Sequence, residues 1–534
     1  MSGITTEALS AAVRETVSVG ALLERRAEDH PDRVLLRWEA ENYTYGQVEE
    51  MANTVANSLL ERGVKPGDRV AVMMANSPEW VGVWLGIAKA GAVAVTINTA
   101  YLGDGLAYQL QDCGARATVV DEEFAPRLDA IAGEIPTSQM FVKPQGGELA
   151  AGADPLDKLF AGSSARPAIP PLGPQSPCSI LYTSGTTGPA KGCLLPHGQY
   201  LAAAFLHAAN CGYGPETTLY TCLPLFHINA QNYSLLSAMS VGGTLALDAK
   251  FTASGFWERL IEVGATAFNF IGFVAQALWN REPSPAEREH RATVAFGAPV
   301  PLNIWEAWEE RFGCRIVYAY GMTENALPAI FPLADTPAAP EVRGAGGKAS
   351  PTSDVAIVDD HDFPVPPGTV GEIVTRPKIP WTMMLEYFNR PDATRDAFRN
   401  CWFHTGDLGY LDDSGFVFWV DRKKDALRRR GEMVSSWDVE AVVAKFPGVA
   451  ECAVVGVPSE MSEDDILVAV VPAERLDPAD LVAFCRERMA AFQVPRYVRF
   501  VDSLPRTQTQ RVEKYRLRAD GATEDTWDAN RVKN

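Results

Sequence analysis

Runs with helical spacing alternate with β-branched runs through the first part of the chain, and this alternation narrows the fold more than any other feature. Residues 51–62 (MANTVANSLLER) space their apolar side chains as a helix does and stop at Gly63. After the turn Lys65-Pro66-Gly67-Asp68 comes the β-branched run 69–74 (RVAVMM). A second helix-like stretch then leads into 92–97 (AVAVTI). Such alternation implies βαβ units and a parallel sheet, whose strand ends and helix starts make ligand sites. The expected class is α/β, a large N-terminal domain of doubly wound or mixed sheets followed by a small α+β C-terminal domain.

A chain of 534 residues exceeds the size at which one hydrophobic core keeps growing, so at least two domains are expected. Residues 161–177 are rich in Pro, Ala, Gly and Ser and read as a surface connection before a strand at 178–182. Further on, the strand-like run 416–420 gives way to the polar segment Asp421-Arg422-Lys423-Lys424-Asp425. Beyond it, 439–446 and 481–490 read as helices, and 451–456 and 467–471 as strands. The boundary falls at Lys424, giving domains 1–423 and 424–534.

A net charge of -19 argues against a nucleic-acid partner, because a phosphate backbone is held mainly by Lys and Arg. It leaves room for an anionic small ligand, which needs only local positive charge. The nine cysteines are scattered, without CxxC pairs or metal-ligand spacing, as expected of reduced thiols in a cytoplasm. No basic segment followed by an apolar core opens the chain, so no signal peptide is expected. The most apolar stretch, 81–97, is interrupted by Lys89 and Gly91 and is too short for a membrane span. A soluble, cytoplasmic protein is expected.

One loop carries phosphate chemistry on its face: Tyr182-Thr183-Ser184-Gly185-Thr186-Thr187-Gly188-Pro189-Ala190-Lys191-Gly192. Glycines allow close backbone approach to phosphate, hydroxyls and amides satisfy its oxygens, and Lys191 supplies charge. The GxxxxGK[ST] loop is a different motif, since Lys191 is followed by Gly192.

This loop resembles the signature of the adenylate-forming superfamily of acyl-CoA synthetases, peptide-synthetase adenylation domains and firefly-type luciferases. Ala190 stands where the family usually has Pro. Other motifs follow in the family's order: Leu223-Pro224-Leu225-Phe226-His227, Gly297-Ala298-Pro299, Tyr320-Gly321-Met322-Thr323-Glu324, Gly371-Glu372-Ile373, Thr405-Gly406-Asp407, and Asp421 to Asp425 followed by Gly431-Glu432. The similarity spans nearly the whole chain. It implies ATP or AMP (as acyl-adenylate), coenzyme A and Mg²⁺ as cofactors. By resemblance, Thr183, Ser184, Gly185, Thr186, Thr187 and Lys191 grip phosphate, and Thr323 meets the α-phosphate. Glu324 binds Mg²⁺, a hard cation that prefers oxygen ligands. Asp407 accepts hydrogen bonds from the ribose hydroxyls, and Arg422 contacts ribose or phosphate. Gly297, Ala298, Pro299, Tyr320, Gly321 and Met322 enclose adenine, with Tyr320 as a stacking face. His227 is expected to gate the substrate carboxylate. Acetate-specific relatives carry Trp at the position of Gly321, so an acid larger than acetate is expected. Phe270 to Phe273 (including Gly272), Gly297, Gly321 and Asn325-Ala326 are expected to wall its pocket.

The end of the chain departs from the family. Its members resemble Leu-Pro-x-Thr-x-x-Gly-Lys there, the Lys bridging the substrate carboxylate and the α-phosphate during adenylation. Residues 504–511 read LPRTQTQR, which puts Arg511 at the Lys and Gln510 at the Gly. Arg is planar and forked and does not replace a compact ammonium at a tight site. Loss of one such electrostatic contact costs about 10²–10³ in rate. Lys514 is expected at the surface. The resemblance also implies a C-terminal domain that turns about Lys424 and then lines a pantetheine tunnel near Gly431. Arg428-Arg429-Arg430 would either meet CoA phosphates or form a solvated face. The expected activity is that of an acyl-CoA ligase with weak or absent adenylation, acting on an acyl-adenylate supplied by a separate adenylating enzyme. The rivals are a complete ATP-dependent ligase, an adenylation enzyme that loads a carrier-protein thiol, a luciferase-like oxygenase, and a catalytically dead nucleotide sensor.

Overall fold

Ser77 and Pro78 start a helix by local chemistry: the Ser77 hydroxyl accepts from the Trp80 amide, and Pro78 fills a first-turn position that needs no donor. The helix, Pro78–Lys89, is buried at every position but Glu79. It shares one hydrophobic cluster with Val70, Val72 and Ala94 of one sheet and Tyr220, Leu245 and Leu247 of another. Lys89 is buried within it and is neutralised by Glu49. Gly91, at φ +70, then turns the chain into the strand Val93–Thr96, a backbone conformation that glycine adopts without steric cost.

This computed structural model describes residues 4–531, apart from 137–138, 147–151, 184–189, 299, 301, 303, 337, 424–426, 430–431, 435, 460–463, 490, 492 and 507–511; at 298, 428, 432 and 433 it describes the backbone alone. The eight-stranded sheet holds Arg69–Met73, Val93–Thr96 and Ala117–Asp121 in parallel, with Pro177–Thr183 joining the Val93–Thr96 side. Lys191–Pro196 then runs antiparallel to Pro177–Thr183. The seven-stranded sheet places Arg315–Val317, Val294–Ala298, Ala267–Ile271 and Thr218–Thr221 side by side in parallel. The expected α/β class with mixed sheets is therefore what the chain adopts. An antiparallel sheet follows, in which Trp402–Leu411 lies between Gly371–Pro377 and Val417–Arg422.

The tail forms a separate four-stranded sheet: Val449–Pro458, Asp464–Pro472, Tyr497–Phe500 and Trp527–Asp528. Two hydrophobic clusters cover it, one with Leu427, Val468 and Leu481, the other with Val455, Leu467 and Leu517. Lys424, the expected boundary, lies outside the described residues. Helix starts differ from the sequence reading because capping groups set them. The first-domain helix begins at Tyr45, where Thr44 and Gln47 form a capping box. The helix expected at 481–490 is Pro478–Arg486, started by the Asp477 side chain, and that expected at 439–446 is Ser436–Val443. All nine cysteines are free. Among the described residues no helix is long and apolar enough to cross a membrane.

Asp121, at the end of its strand, accepts from the Ala75 amide at 2.7 Å through Oδ2, while its buried Oδ1 has no partner. Burial raises its pKa from 3.8 to about 6. A raised carboxylate contributes stability that is fully present below its unfolded pKa and is lost as pH climbs through the folded value. Asp121→Asn keeps an acceptor for Ala75 and removes the buried charge. It should raise unfolding stability near neutral pH by about 1–3 kcal/mol, with the difference shrinking between the folded and unfolded pKa values in denaturant melts at stepped pH.

Candidate active site

Parallel strands deliver their following loops to one edge of a sheet, where helix starts and strand ends leave backbone groups free for ligands. At that edge Thr218–Thr221 runs on toward His227, and Ile271 lies beside Ala298 in the register of Ala267–Ile271 against Val294–Ala298. The strand Pro177–Thr183 ends at the glycine-rich loop. Within that loop Thr183 pairs with Lys191 across the hairpin, and the Thr183 hydroxyl donates to the Lys191 carbonyl at 3.3 Å. Ser184, Gly185, Thr186 and Thr187 lie outside the described residues, as do Pro299, Lys424, Gly431 and Arg511.

Two polar groupings form around the remaining residues. In the first, the Tyr387 hydroxyl donates to Glu324 Oε1 at 2.8 Å, and Lys191 Nζ stands 4.8 Å from the centroid of the Tyr387 ring. Burial, then the Glu324 carboxylate, holds the Tyr387 phenol far above its ordinary pKa, so it acts as a donor. The loop is fixed from behind: Met384 N–H donates to the Glu324 carbonyl at 2.8 Å and Gln199 Nε2 to the Thr323 carbonyl at 2.8 Å. No group of three or more metal-binding side chains occurs among the described residues. A single hard ligand at Glu324 suits a Mg²⁺ that keeps its waters and takes further oxygens from phosphates.

The second grouping surrounds Asp407, whose side chain is 3% exposed. Tyr320 donates its hydroxyl to Asp407 Oδ2 at 2.7 Å. Arg422, the cross-strand partner of Asp407, brings Nη1 to 2.9 Å from Oδ1. Oδ1 has no hydrogen-bond donor of good geometry, so it retains acceptor capacity of the kind a ribose hydroxyl uses. Burial, then Asp407, keeps the Tyr320 phenol protonated. Glu372 holds the preceding turn, accepting from Gly406 N–H at 3.1 Å and from Lys423 Nζ at 3.1 Å.

His227 is exposed, its ring 4.6 Å from Phe226. Gly272 opens the helix Gly272–Trp279, and Met322 is half-buried, its amide bonded to the Asn325 carbonyl at 3.0 Å. Gly297 packs where a Cβ would stand 2.2 Å from the Phe270 carbonyl oxygen. At Gly321 a Cβ would stand 2.0 Å from the Ala326 carbonyl oxygen. This loop requires glycine for its backbone, before any question of pocket size.

Four expectations are corrected. Phe270 is a core residue rather than a pocket wall, fully buried with its ring 5.6 Å from that of Trp308. Asn325, also expected in the wall, is buried and spends its amide on Ser353 and Thr375, each at 3.2 Å. Arg429 is drawn onto the tail rather than standing in a solvated face: it donates to the Val494 carbonyl at 2.5 Å and pairs with Asp465 at 3.4 Å. Lys514 is held inside the tail rather than lying free on its surface, 2.8 Å from Glu440 and 2.6 Å from Ser436 Oγ. Ser436 in turn donates its amide and hydroxyl to Asp421 at 2.7 Å each. Of the groups that sequence reasoning missed, Tyr387 and Gln199 carried no signal, since each is brought in by distant pairing. Glu372 stood in a quoted motif, without a role.

The family model described as "AMP-binding enzyme" matches residues 23–388, and that described as "AMP-binding enzyme C-terminal domain" matches residues 438–511. A crotonobetaine/carnitine–CoA ligase of Salmonella arizonae is 31% identical over 488 residues, covering 90% of this chain and 94% of the relative. Among solved structures, an anthranilate CoA ligase in complex with anthranoyl-AMP superposes with a TM-score of 0.84 at 26% identity, covering 96% of this chain and 98% of the other. An o-succinylbenzoate CoA synthetase of Bacillus subtilis, in complex with its acyl-adenylate intermediate, gives 0.82 at 26%, covering 93% and 97%.

Asp407→Ala removes the acceptor that Tyr320 and Arg422 hold in place. Calorimetric titration with AMP should show affinity falling by about 10–10²-fold, the worth of a hydrogen bond to a charged group, while the melting curve stays cooperative.

Proposed function

The chain belongs to the AMP-binding enzyme family, and from that premise we propose that it joins a carboxylic acid larger than acetate to coenzyme A through a bound acyl-adenylate. The observation that carries this reading is the pairing of two groupings in one fold: Glu324 with Tyr387 and Lys191, and Asp407 with Tyr320 and Arg422. The first suits phosphates and the second a ribose. The acids named for the relatives, crotonobetaine, carnitine, anthranilate and o-succinylbenzoate, support an acid larger than acetate.

In the adenylating half, a carboxylate oxygen bonds to the α-phosphorus and pyrophosphate leaves. Lys191 and the hydroxyls of Thr183, Ser184, Thr186 and Thr187 would hold the phosphates, with the backbone of Gly185 in close approach, and Thr323 would meet the α-phosphate. Mg²⁺, when bound at Glu324, would neutralise phosphate charge. Adenine would lie against Gly297 to Pro299 and Tyr320 to Met322, and His227 would gate the acid. In the second half the CoA thiolate attacks the acyl carbonyl and AMP leaves. For that half the C-terminal domain, 424–534, would turn about Lys424 and bring Gly431 to the pantetheine channel.

Adenylation is the slower half. Two anions must meet, and a positive charge between them stabilises that transition state directly. Lys514 is occupied by Glu440 and Ser436, so the bridging charge falls to Arg511, whose fork fits a tight site less well than an ammonium. An acyl-adenylate made by a separate enzyme would then be an alternative supply. Arg511→Lys should raise ATP–pyrophosphate exchange by about 10²-fold, while thioester formation from synthetic acyl-adenylate and CoA changes little. Fast exchange by the unaltered protein, not improved by Arg511→Lys, would contradict this.

A further inference from the structure

The segment after His227 is a π-helix, Ala230–Leu236, a form that is rare and gathers at functional sites. Three asparagines on or against it have buried amide atoms without a partner: Oδ1 of Asn229, both amide atoms of Asn232, and Oδ1 of Asn269. Asn232 and Asn269 are fully buried and Asn229 half-buried. Each unpaired amide atom costs about 1–3 kcal/mol, so a cluster of them calls for a partner.

Asn269 reaches the π-helix at Ser234, and Asn229 stands at the start of that helix. The Asn269 amide donates to Ser234 Oγ at 2.8 Å, and i→i+5 spacing puts Asn229 one π-turn before Ser234. Along the strand Ala267–Ile271 side chains alternate between faces. Phe268 and Phe270 pack on Trp308, so Asn269 and Ile271 face the opposite way, toward the π-helix. Ile271 is 44% exposed and adjoins Ala298, which sets Asn269 directly below the edge where acyl and adenine groups would meet. Two ionisable neighbours are held neutral by burial. Tyr233 spends its hydroxyl on the Ala326 carbonyl at 2.6 Å, and burial pushes the neighbouring His207 down to about 3.

Resting on the acyl-adenylate reading of this site, we propose that Asn229 and Asn269 read a neutral hydrogen-bond donor, a hydroxyl in its simplest form, at the far end of the acid. Both orphan atoms of the pair are acceptors, so the matching group must donate. A second carboxylate would set its oxygens against them, and a buried ammonium would lack a counter-charge. A purely apolar tail would leave the amides unpaired, the kind of mismatch a polar site rejects most strongly.

Calorimetry with acyl-sulfamoyl-adenosine analogues tests this without either half-reaction. The probes are straight chains from butanoyl to octanoyl, each plain, with a terminal hydroxyl, and with a terminal carboxylate. At the best-fitting length the hydroxyl form should bind about tenfold or more tightly than the plain form, and Asn229→Leu should reverse that order. Equal or tighter binding of the plain or carboxylate forms by the unaltered protein would overturn the inference and leave the ligase reading standing. Failure of every analogue to bind would overturn both. The unaltered protein decides the matter even if Asn229→Leu does not fold.

Discussion

A carboxylate taken out of water must be met by donors and cations, and the arrangement around Asp407 depends on that requirement. Its two oxygens face Tyr320 and Arg422, which lie on the short strand Ala319–Tyr320 and on the strand Val417–Arg422. One buried charge therefore ties the strand Ala319–Tyr320 to the strand Val417–Arg422. Glu372 repeats the principle one layer behind, drawing Gly406 and Lys423 onto a single carboxylate. A ligand that uses Asp407 meets a group whose position is set by three strands, which is the preorganisation that nucleotide recognition needs.

The same logic continues into the tail. Asp421 holds Ser436, Ser436 holds Lys514, and Lys514 neutralises the half-buried Glu440. Burial raises the Glu440 pKa and Lys514 opposes the rise. This chain of polar contacts runs from Asp421 through Ser436 and Lys514 to Glu440. It accounts for a basic residue at 514 by packing and charge within the tail alone.

The legible parts of the sequence were those whose order carries meaning. Glu324, Asp407 and Arg422 lie within short motifs, and their neighbours in the fold follow from strand pairing. Facing was harder to read. Periodicity shows that Phe270 and Asn269 point to opposite sides of a strand, yet only packing on Trp308 shows which side is core. Tyr387 reaches Glu324 from a two-residue edge strand too short to leave a pattern. The π-helix after His227 was invisible because its residues suit an α-helix equally well, and Gly321 reads as a pocket feature until the Ala326 carbonyl is seen against it.

The proposed function requires a site that handles an acyl-adenylate, whether or not the chain makes it quickly. The most direct measurement mixes the protein with a synthetic acyl-adenylate and CoA and follows products by mass spectrometry. Acyl-CoA and AMP should appear in equal amounts, faster than from the free acid, ATP and CoA. Thioester formed from acid and ATP but not from the supplied adenylate would contradict it, as would hydrolysis of the adenylate without any thioester.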